Sequence, residues 1–155
     1  MSNNVYDILD QFYQYELQIS EIYASFTYMF EEDNEFWWKI SLEEKNHASL
    51  VASVKQVFAP AGKIPSMLDT IDIENIIIEN KKLTEILAHL KDKVPNRKEA
   101  FKIAIELENS AVENHYQEFM ESEGGSQIDR MFRELNNYDK DHVARISEYM
   151  KENGI

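Results

Sequence analysis

One stretch of the chain carries a clean helical pattern. Residues 35–58 read EFWWKISLEEKNHASLVASVKQVF, and their apolar side chains recur at steps of three and four residues. That spacing lines them up along one face of an α-helix. Glu44 and His47 fall on the same face, one turn apart, where a helix packed in a bundle should be apolar. The stretch therefore predicts a buried helix with polar groups in its middle.

The rest of the chain repeats this periodicity and almost nowhere shows the period of two that strands require. The predicted helices span about residues 4–32, 35–58, 97–122 and 127–151. The connection at about 59–96 has an apolar pattern of its own between Asp72 and Val94, so we expect it to be partly helical. Short turns after the first and third helices make each pair antiparallel neighbours. We predict an all-α fold, a single four-helix bundle over residues 1–155.

Composition limits the functions that the chain can have. The chain has no cysteine, which excludes disulfides, thiolate catalysis and iron–sulfur sites. Its net charge of −13 argues against nucleic acid as a partner, because phosphate binding needs a basic surface. It has no apolar run long enough to span a bilayer, and its first residues lack the pattern of a signal peptide. We therefore predict a soluble, cytoplasmic protein that binds neither nucleic acid nor membrane.

The polar residues on the helix faces form two repeats. Glu44 and His47 on the second helix are matched by Asp139 and His142 on the fourth. The first and third helices carry a second matched pair of patterns, Glu21-x-x-Ala24-x-x-x-Tyr28 and Glu108-x-x-Ala111-x-x-x-His115. The chain therefore reads as one helical hairpin written twice.

Four carboxylates on core faces need a compensating charge. Burying one ionised carboxylate costs several kcal/mol, whereas a whole domain is stable by only about 5–15 kcal/mol. Two divalent cations would balance the four carboxylates, and carboxylate with imidazole suits iron or manganese. The predicted metal ligands are Glu21, Glu44, His47, Glu108, Asp139 and His142. The alternative is a protonated or water-filled polar core.

Other polar residues are predicted to lie outside this ligand set. His115 should be a hydrogen-bonded neighbour of the ligands or a polar core residue, and His89 a surface or packing residue. Tyr28 belongs to a predicted aromatic core, from which it could donate a hydrogen bond to a ligand. Four glutamates fall off the apolar stripes and are predicted to be solvated: Glu16, Glu43, Glu106 and Glu113.

The predicted ligands resemble those of a known group of proteins. Glu21, Glu44-x-x-His47, Glu108 and Asp139-x-x-His142 are similar to the ligand set of the ferritin-like di-iron carboxylate superfamily. Within it, the chain most resembles the rubrerythrin-like family in its form without a rubredoxin domain. The resemblance covers essentially the whole chain and implies a ferritin-like four-helix bundle with a long, partly helical crossover between the second and third helices.

The same resemblance implies a role for each ligand. Glu21 and Glu108 would be terminal ligands, Glu44 and Asp139 would bridge two iron ions, and His47 and His142 would bind one ion each. The chain departs from the family in having Asp139 where glutamate is usual. It also has Ala111 where the family carries a further glutamate, one turn after the third-helix ligand.

The function implied by the resemblance is that of a di-iron oxidoreductase, with manganese or a mixed metal pair as the alternative to iron. Its substrate would be peroxide, dioxygen or ferrous iron. Because the chain has no cysteine, electrons would come from a separate donor protein or from ferrous iron itself. A homodimer is expected by analogy with other bundles. Two other functions stay open: a non-catalytic metal-binding or iron-storage protein, and a helical interaction module without metal.

Overall fold

Helices form all the regular structure in the residues that the computed structural model describes, which are 4–64, 68, 70–121, 129–130, 133, 137 and 141–155. Six α-helices lie in these ranges: α1 (Val5–Met29), α2 (Asn34–Ser53), α3 (Ile73–Asp92), α4 (Arg97–Glu108), α5 (Ala111–Glu121) and α6 (His142–Glu152). The predicted all-α class is confirmed for this part of the chain. None of these helices is both long enough and apolar enough to cross a membrane.

The first two helices form an antiparallel hairpin. Helix α1 begins at Asn4, whose side chain accepts a hydrogen bond from the backbone N–H of Tyr6 at 3.1 Å. A short 3-10 turn, Glu31–Asp33, joins it to α2. The two helices are antiparallel, because Tyr23 near the end of α1 packs against Trp37 near the start of α2, whereas the earlier Glu16 lies beside the later His47. The buried stripe of α1 is therefore pressed against that of α2, as the short turn predicts.

The crossover contains the predicted helix, and it packs on α1. Helix α3 begins at Asp72, which caps the N–H of Glu74 at 3.1 Å. Its buried Asn80 exchanges side-chain hydrogen bonds with Gln18 (3.0 Å) and Gln11 (2.9 Å) of α1. Buried amides are stable only when they are hydrogen-bonded, so these bonds fix the position of α3 along α1.

The third predicted helix is divided into two. Its start is as predicted, because Asn96 and Glu99 form a reciprocal capping box. Helix α4 ends at Glu108, and the Ser110 hydroxyl then accepts a hydrogen bond from the N–H of Glu113 at 3.1 Å, which starts α5. In an unbroken helix, residues five apart point about 140° away from each other. The break lets Glu108 and Glu113 both be buried.

The last helix closes the bundle against α4 and α2. Helix α6 starts after Asp141, which has a positive φ of 68°. Further along, the Tyr149 ring stacks on Phe36 with a centroid distance of 4.0 Å, and its hydroxyl donates to Asp33 at 2.8 Å. Arg97 binds both oxygens of Asp33, at 2.6 and 2.7 Å, which ties α4 to the first turn. The sequence predicted one helix over about 127–151, and that prediction is wrong at Asp141, because its left-handed backbone cannot continue an α-helix. The predicted start near residue 127 lies outside the described residues.

Candidate metal site

Two groups of buried side chains in the interior each bring together atoms that can bind a metal. Glu16, Glu44 and His47 form the Glu16 group, and Glu44, Glu108 and His142 form the Glu108 group. Within each group the ligand atoms lie within 4.8 Å of one another. Four helices contribute to the two groups, namely α1, α2, α4 and α6. Glu44 belongs to both groups.

The Glu16 group is completely buried. His47 Nδ1 lies 3.1 Å from Glu44 Oε2 and 3.6 Å from Glu16 Oε2, and all three side chains have 0% exposure. Glu44 and His47 meet because residues three apart on α2 lie one turn apart on the same face. Glu16 Oε1 accepts no hydrogen bond from the residues that the structure describes.

The Glu108 group is built around the last histidine. His142 Nδ1 lies 2.6 Å from Glu44 Oε1 and 3.4 Å from Glu108 Oε2. The other oxygen of Glu108 accepts a hydrogen bond from the Tyr23 hydroxyl at 2.6 Å. The two oxygens of Glu44 therefore face different histidines, Oε2 towards His47 and Oε1 towards His142.

A fourth buried carboxylate, Glu113 of α5, adds its charge to this region. Its Oε1 accepts a hydrogen bond from Gln117 at 3.2 Å, while its Oε2 has no hydrogen-bond partner among the described residues. Burial raises the pKa of Glu113 well above its usual value, and the charges of Glu16 and Glu108 raise it further. A buried acceptor without a donor is unusual in a folded protein.

The pKa values of the carboxyl groups in the two groups show that an ionised carboxylate is unfavourable there unless positive charge lies beside it. Burial, and then the charge of Glu44, raise the pKa of Glu16 well above its usual value and also raise that of Glu108. Burial would raise the pKa of Glu44 too, but His142 and His47 beside it hold that pKa well below its usual value. If all four carboxylates were ionised, two protonated histidine rings would balance only half of their charge.

The donor atoms fit a metal ion. They are carboxylate oxygens and imidazole nitrogens, a set that binds iron, manganese or zinc in proteins. Buried Glu16 Oε1 lacks a donor in the described residues, and a cation in the Glu16 group would satisfy it. Two divalent cations would also balance the four carboxylates while leaving both imidazoles neutral. The two groups can therefore hold metal.

One further contact lies just outside the Glu108 group. His142 Nε2 lies 2.9 Å from Glu43 Oε2, and Arg145 donates to both oxygens of Glu43. Burial would raise the pKa of Glu43, but the hydrogen bonds from His142 and Arg145 lower it to about 2. Glu43 is thus a carboxylate at neutral pH.

The structure brings together four of the six predicted ligands, namely Glu44, His47, Glu108 and His142. Glu21 is not among them: it is exposed, and Glu16 takes its place from α1. The two residues are five apart on one helix, so they point about 140° away from each other. Asp139 lies outside the described residues.

Several predictions about the other polar residues are corrected. Glu16, Glu43 and Glu113 were predicted to be solvated and are buried, so that prediction is wrong, whereas Glu106 is exposed as predicted. Tyr28 is 90% exposed rather than part of an aromatic core. His89 is exposed, in agreement with a surface role. The side chain of His115 lies outside the part of the chain that the structure describes.

Two of the three missed residues had signals in the sequence. Glu16 stands in a run of steps of four and three, Phe12, Glu16, Ile19 and Tyr23, all of which are buried. Glu113 is the fourth residue of Ser110-x-x-Glu113, a pattern that marks a helix start. Glu43 had no comparable signal, because its partners on α6 are 99 and 102 residues away.

The chain matches no protein-family model, no curated protein and no solved structure. Its function is therefore argued from the two groups themselves.

Proposed function

We propose that the chain holds two metal ions, one at the Glu16 group and one at the Glu108 group, and uses them in oxidation–reduction chemistry. The observation that carries the proposal is the place of Glu44, which turns one oxygen to His47 and the other to His142. A carboxylate in that position can bridge two cations. Glu44 and the three carboxylates and two histidines around it give enough ligands for a pair.

The proposal extends to the ferritin-like di-iron proteins, for which the inward-facing ligands are the support, and to the rubrerythrin-like family among them, which rests on the sequence resemblance alone. In that superfamily the ligands project inward from facing helices of one bundle. Here Glu16 comes from α1, Glu44 and His47 from α2, Glu108 from α4 and His142 from α6. The first ligand in the proposed site is Glu16 instead of Glu21.

The proposed metals are two iron ions, with manganese or a mixed pair as the alternative. When bound, two ferrous ions would supply electrons that reduce peroxide or dioxygen. The chain has no cysteine with which to pass electrons, so a separate donor protein or substrate ferrous iron would supply more. Oxidation of ferrous iron by dioxygen or peroxide belongs to the same proposal.

The chain's own residues would hold and shield the metal pair. The Tyr23 hydroxyl donates a hydrogen bond to Glu108 Oε1, and the other oxygen of Glu108, Oε2, faces His142. Complete burial of Glu16, Glu44 and His47 keeps bulk water away, which strengthens their attraction for a cation. Glu113 adds a carboxylate whose Oε2 is free of hydrogen bonds from the described residues.

A second candidate function is metal binding or iron storage without turnover. The observation that favours it is the same complete burial of the Glu16 group, because a substrate must be able to reach a catalytic metal. A protein that only holds or passes on iron has no such need.

Anaerobic titration of the metal-free protein with ferrous iron tests the proposal. We expect two iron ions per chain, fewer in Glu16→Gln, and two again in the matched control Glu21→Gln, which changes an exposed glutamate of the same helix. Peroxide or dioxygen is then added and its consumption is followed. Repeated consumption with a reductant supports the oxidoreductase, whereas bound iron without consumption supports storage. Absence of iron binding would overturn both functions.

A further inference from the structure

Glu43 contacts His142, one of the two histidines of the proposed metal site, and Arg145 in turn binds Glu43. Glu43 follows Leu42 and precedes the shared ligand Glu44, and its side chain is 11% exposed. Its Oε2 lies 2.9 Å from His142 Nε2, on the opposite side of the ring from the Glu108 group. The contact joins α2 to α6 next to the site.

Arg145 lies one turn after His142 on α6, and its guanidinium group binds the Glu43 carboxylate through two hydrogen bonds. Its Nη1 donates to Oε2 at 2.5 Å and its Nη2 donates to Oε1 at 3.0 Å. Bidentate pairs of this kind are strong and fix the plane of the carboxylate. Glu43 Oε2 is thereby held against the His142 ring.

An ionised carboxylate can only accept hydrogen bonds. The nitrogen that faces Glu43, His142 Nε2, must therefore carry the hydrogen. Nδ1, which lies 2.6 Å from Glu44 Oε1 and 3.4 Å from Glu108 Oε2, also faces carboxylates and carries a second proton in the metal-free protein. A metal in the Glu108 group would replace that proton and bind the lone pair of Nδ1. The contact selects both the tautomer and the ring orientation that a metal in the Glu108 group needs.

We propose that Glu43 and Arg145 are positioning residues for the Glu108 group, which they act on by holding His142 with Nδ1 towards the metal. The inference rests on the proposed two-metal function. Because His142 belongs to the Glu108 group alone, the pair should control one metal position and not the other. Loss of such an outer contact typically weakens metal binding about 10–100-fold.

A purely structural role is the competing explanation, since an ion pair between α2 and α6 would also stabilise the fold. The chain offers a matched control for it. Asp33 and Arg97 form a bidentate pair of the same chemistry that ties α4 to the first turn. A general loss of stability should appear in variants of either pair, whereas an effect on one metal position should appear only in variants of Glu43 and Arg145.

The test uses zinc as the probe, because it is diamagnetic and does not change oxidation state. Metal-free wild type, Glu43→Gln, Arg145→Lys and Asp33→Asn are titrated with zinc by calorimetry, and ¹⁵N NMR of the zinc-loaded histidine rings identifies the bound nitrogen. In the wild type we expect two zinc ions, with Nδ1 of His142 bound and Nε2 protonated. In Glu43→Gln one of the two affinities should fall about 10–100-fold. Arg145→Lys, which keeps the charge but not the fork, should weaken the same position less.

Several results would overturn the inference. Two unchanged affinities in Glu43→Gln, an equal weakening of both positions, the same loss in Asp33→Asn, or zinc bound to Nε2 of His142 would each do so while leaving the two-metal proposal standing. A wild type that binds no metal would overturn the two-metal proposal and the inference together.

Discussion

The metal-free protein should become less stable as the pH rises from 5 to 7, because buried groups of the site retain protons when it is folded. Burial and neighbouring carboxylates raise the pKa of Glu16 and Glu113 well above the usual 4.5. In the unfolded chain these groups release their protons near their usual pKa. The stability they contribute is therefore complete at low pH and is lost as the pH rises towards the folded pKa.

The histidines act in the same direction at higher pH. The charge of Glu44 outweighs burial and raises the pKa of His142 well above 6.5, and it also raises that of His47. The stability that the two histidines contribute is complete below pH 6.5 and is lost as the pH rises from there towards their pKa in the folded protein. Glu43 and Glu44 act oppositely, because their lowered pKa values favour folding above pH 4.5 and that contribution is lost in acid.

The magnitude follows from the number of protons retained. Each proton that the folded protein keeps and the unfolded chain releases lowers the free energy of unfolding by about 1.4 kcal/mol per pH unit. That slope is large for a domain whose total stability is about 5–15 kcal/mol.

Urea unfolding in the presence of a chelator, at pH 5, 6 and 7, measures the slope. Glu113→Gln removes one retained proton and should reduce the slope by about 1.4 kcal/mol per pH unit. The matched variant Glu21→Gln, at an exposed position, should keep the wild-type slope. A free energy of unfolding that stays level or increases from pH 5 to pH 7 in the metal-free wild type would refute the reasoning.

Three further predictions concern single contacts. Tyr23→Phe removes the donor to buried Glu108 and should lower the free energy of unfolding by about 1–3 kcal/mol, as measured by urea unfolding of the metal-loaded protein. Asp33→Asn breaks the pair with Arg97 and should cost about 1–3 kcal/mol in the same assay, with iron binding unchanged. Ser110→Ala removes the cap of α5 and should cost about 1 kcal/mol. It should also weaken iron binding, since the cap helps to hold Glu113, and a wild-type iron affinity in this variant would contradict that role.

Periodicity was enough to predict which parts of the chain are helical but not where the helices are interrupted, because each helical segment needs only its own apolar stripe. The start of the third helix near residue 97 and the crossover helix after Asp72 depend on local features, and both predictions are confirmed. The break before Ser110 was missed, because the apolar steps continue through it and outweigh the Ser110-x-x-Glu113 pattern that marks a helix start. The apolar periodicity shows which face of a helix is buried, but it does not show where one helix ends and another with a different axis begins.

The site was harder to predict than the fold, because a carboxylate can stand on a helix face for several reasons. Matching Glu21 to Glu108 by their shared spacing placed the first ligand five residues too late, whereas the buried stripe through Phe12 and Ile19 contains Glu16. Contacts such as that of Glu43 with Arg145 join residues 102 positions apart. No local pattern contains that information.

The break between α4 and α5 divides the third side of the bundle into two short rods with different neighbours. Helix α4 packs against α6, whereas α5 packs against α3. Glu108 therefore lies on a rod that contacts the last helix, and Glu113 lies on one that contacts the crossover helix. Because α3 also packs along α1, which carries Glu16, a partner or a mutation that shifts α3 would act on two carboxylates of the proposed site, Glu16 through α1 and Glu113 through α5. The crossover is therefore more than a link between two hairpins.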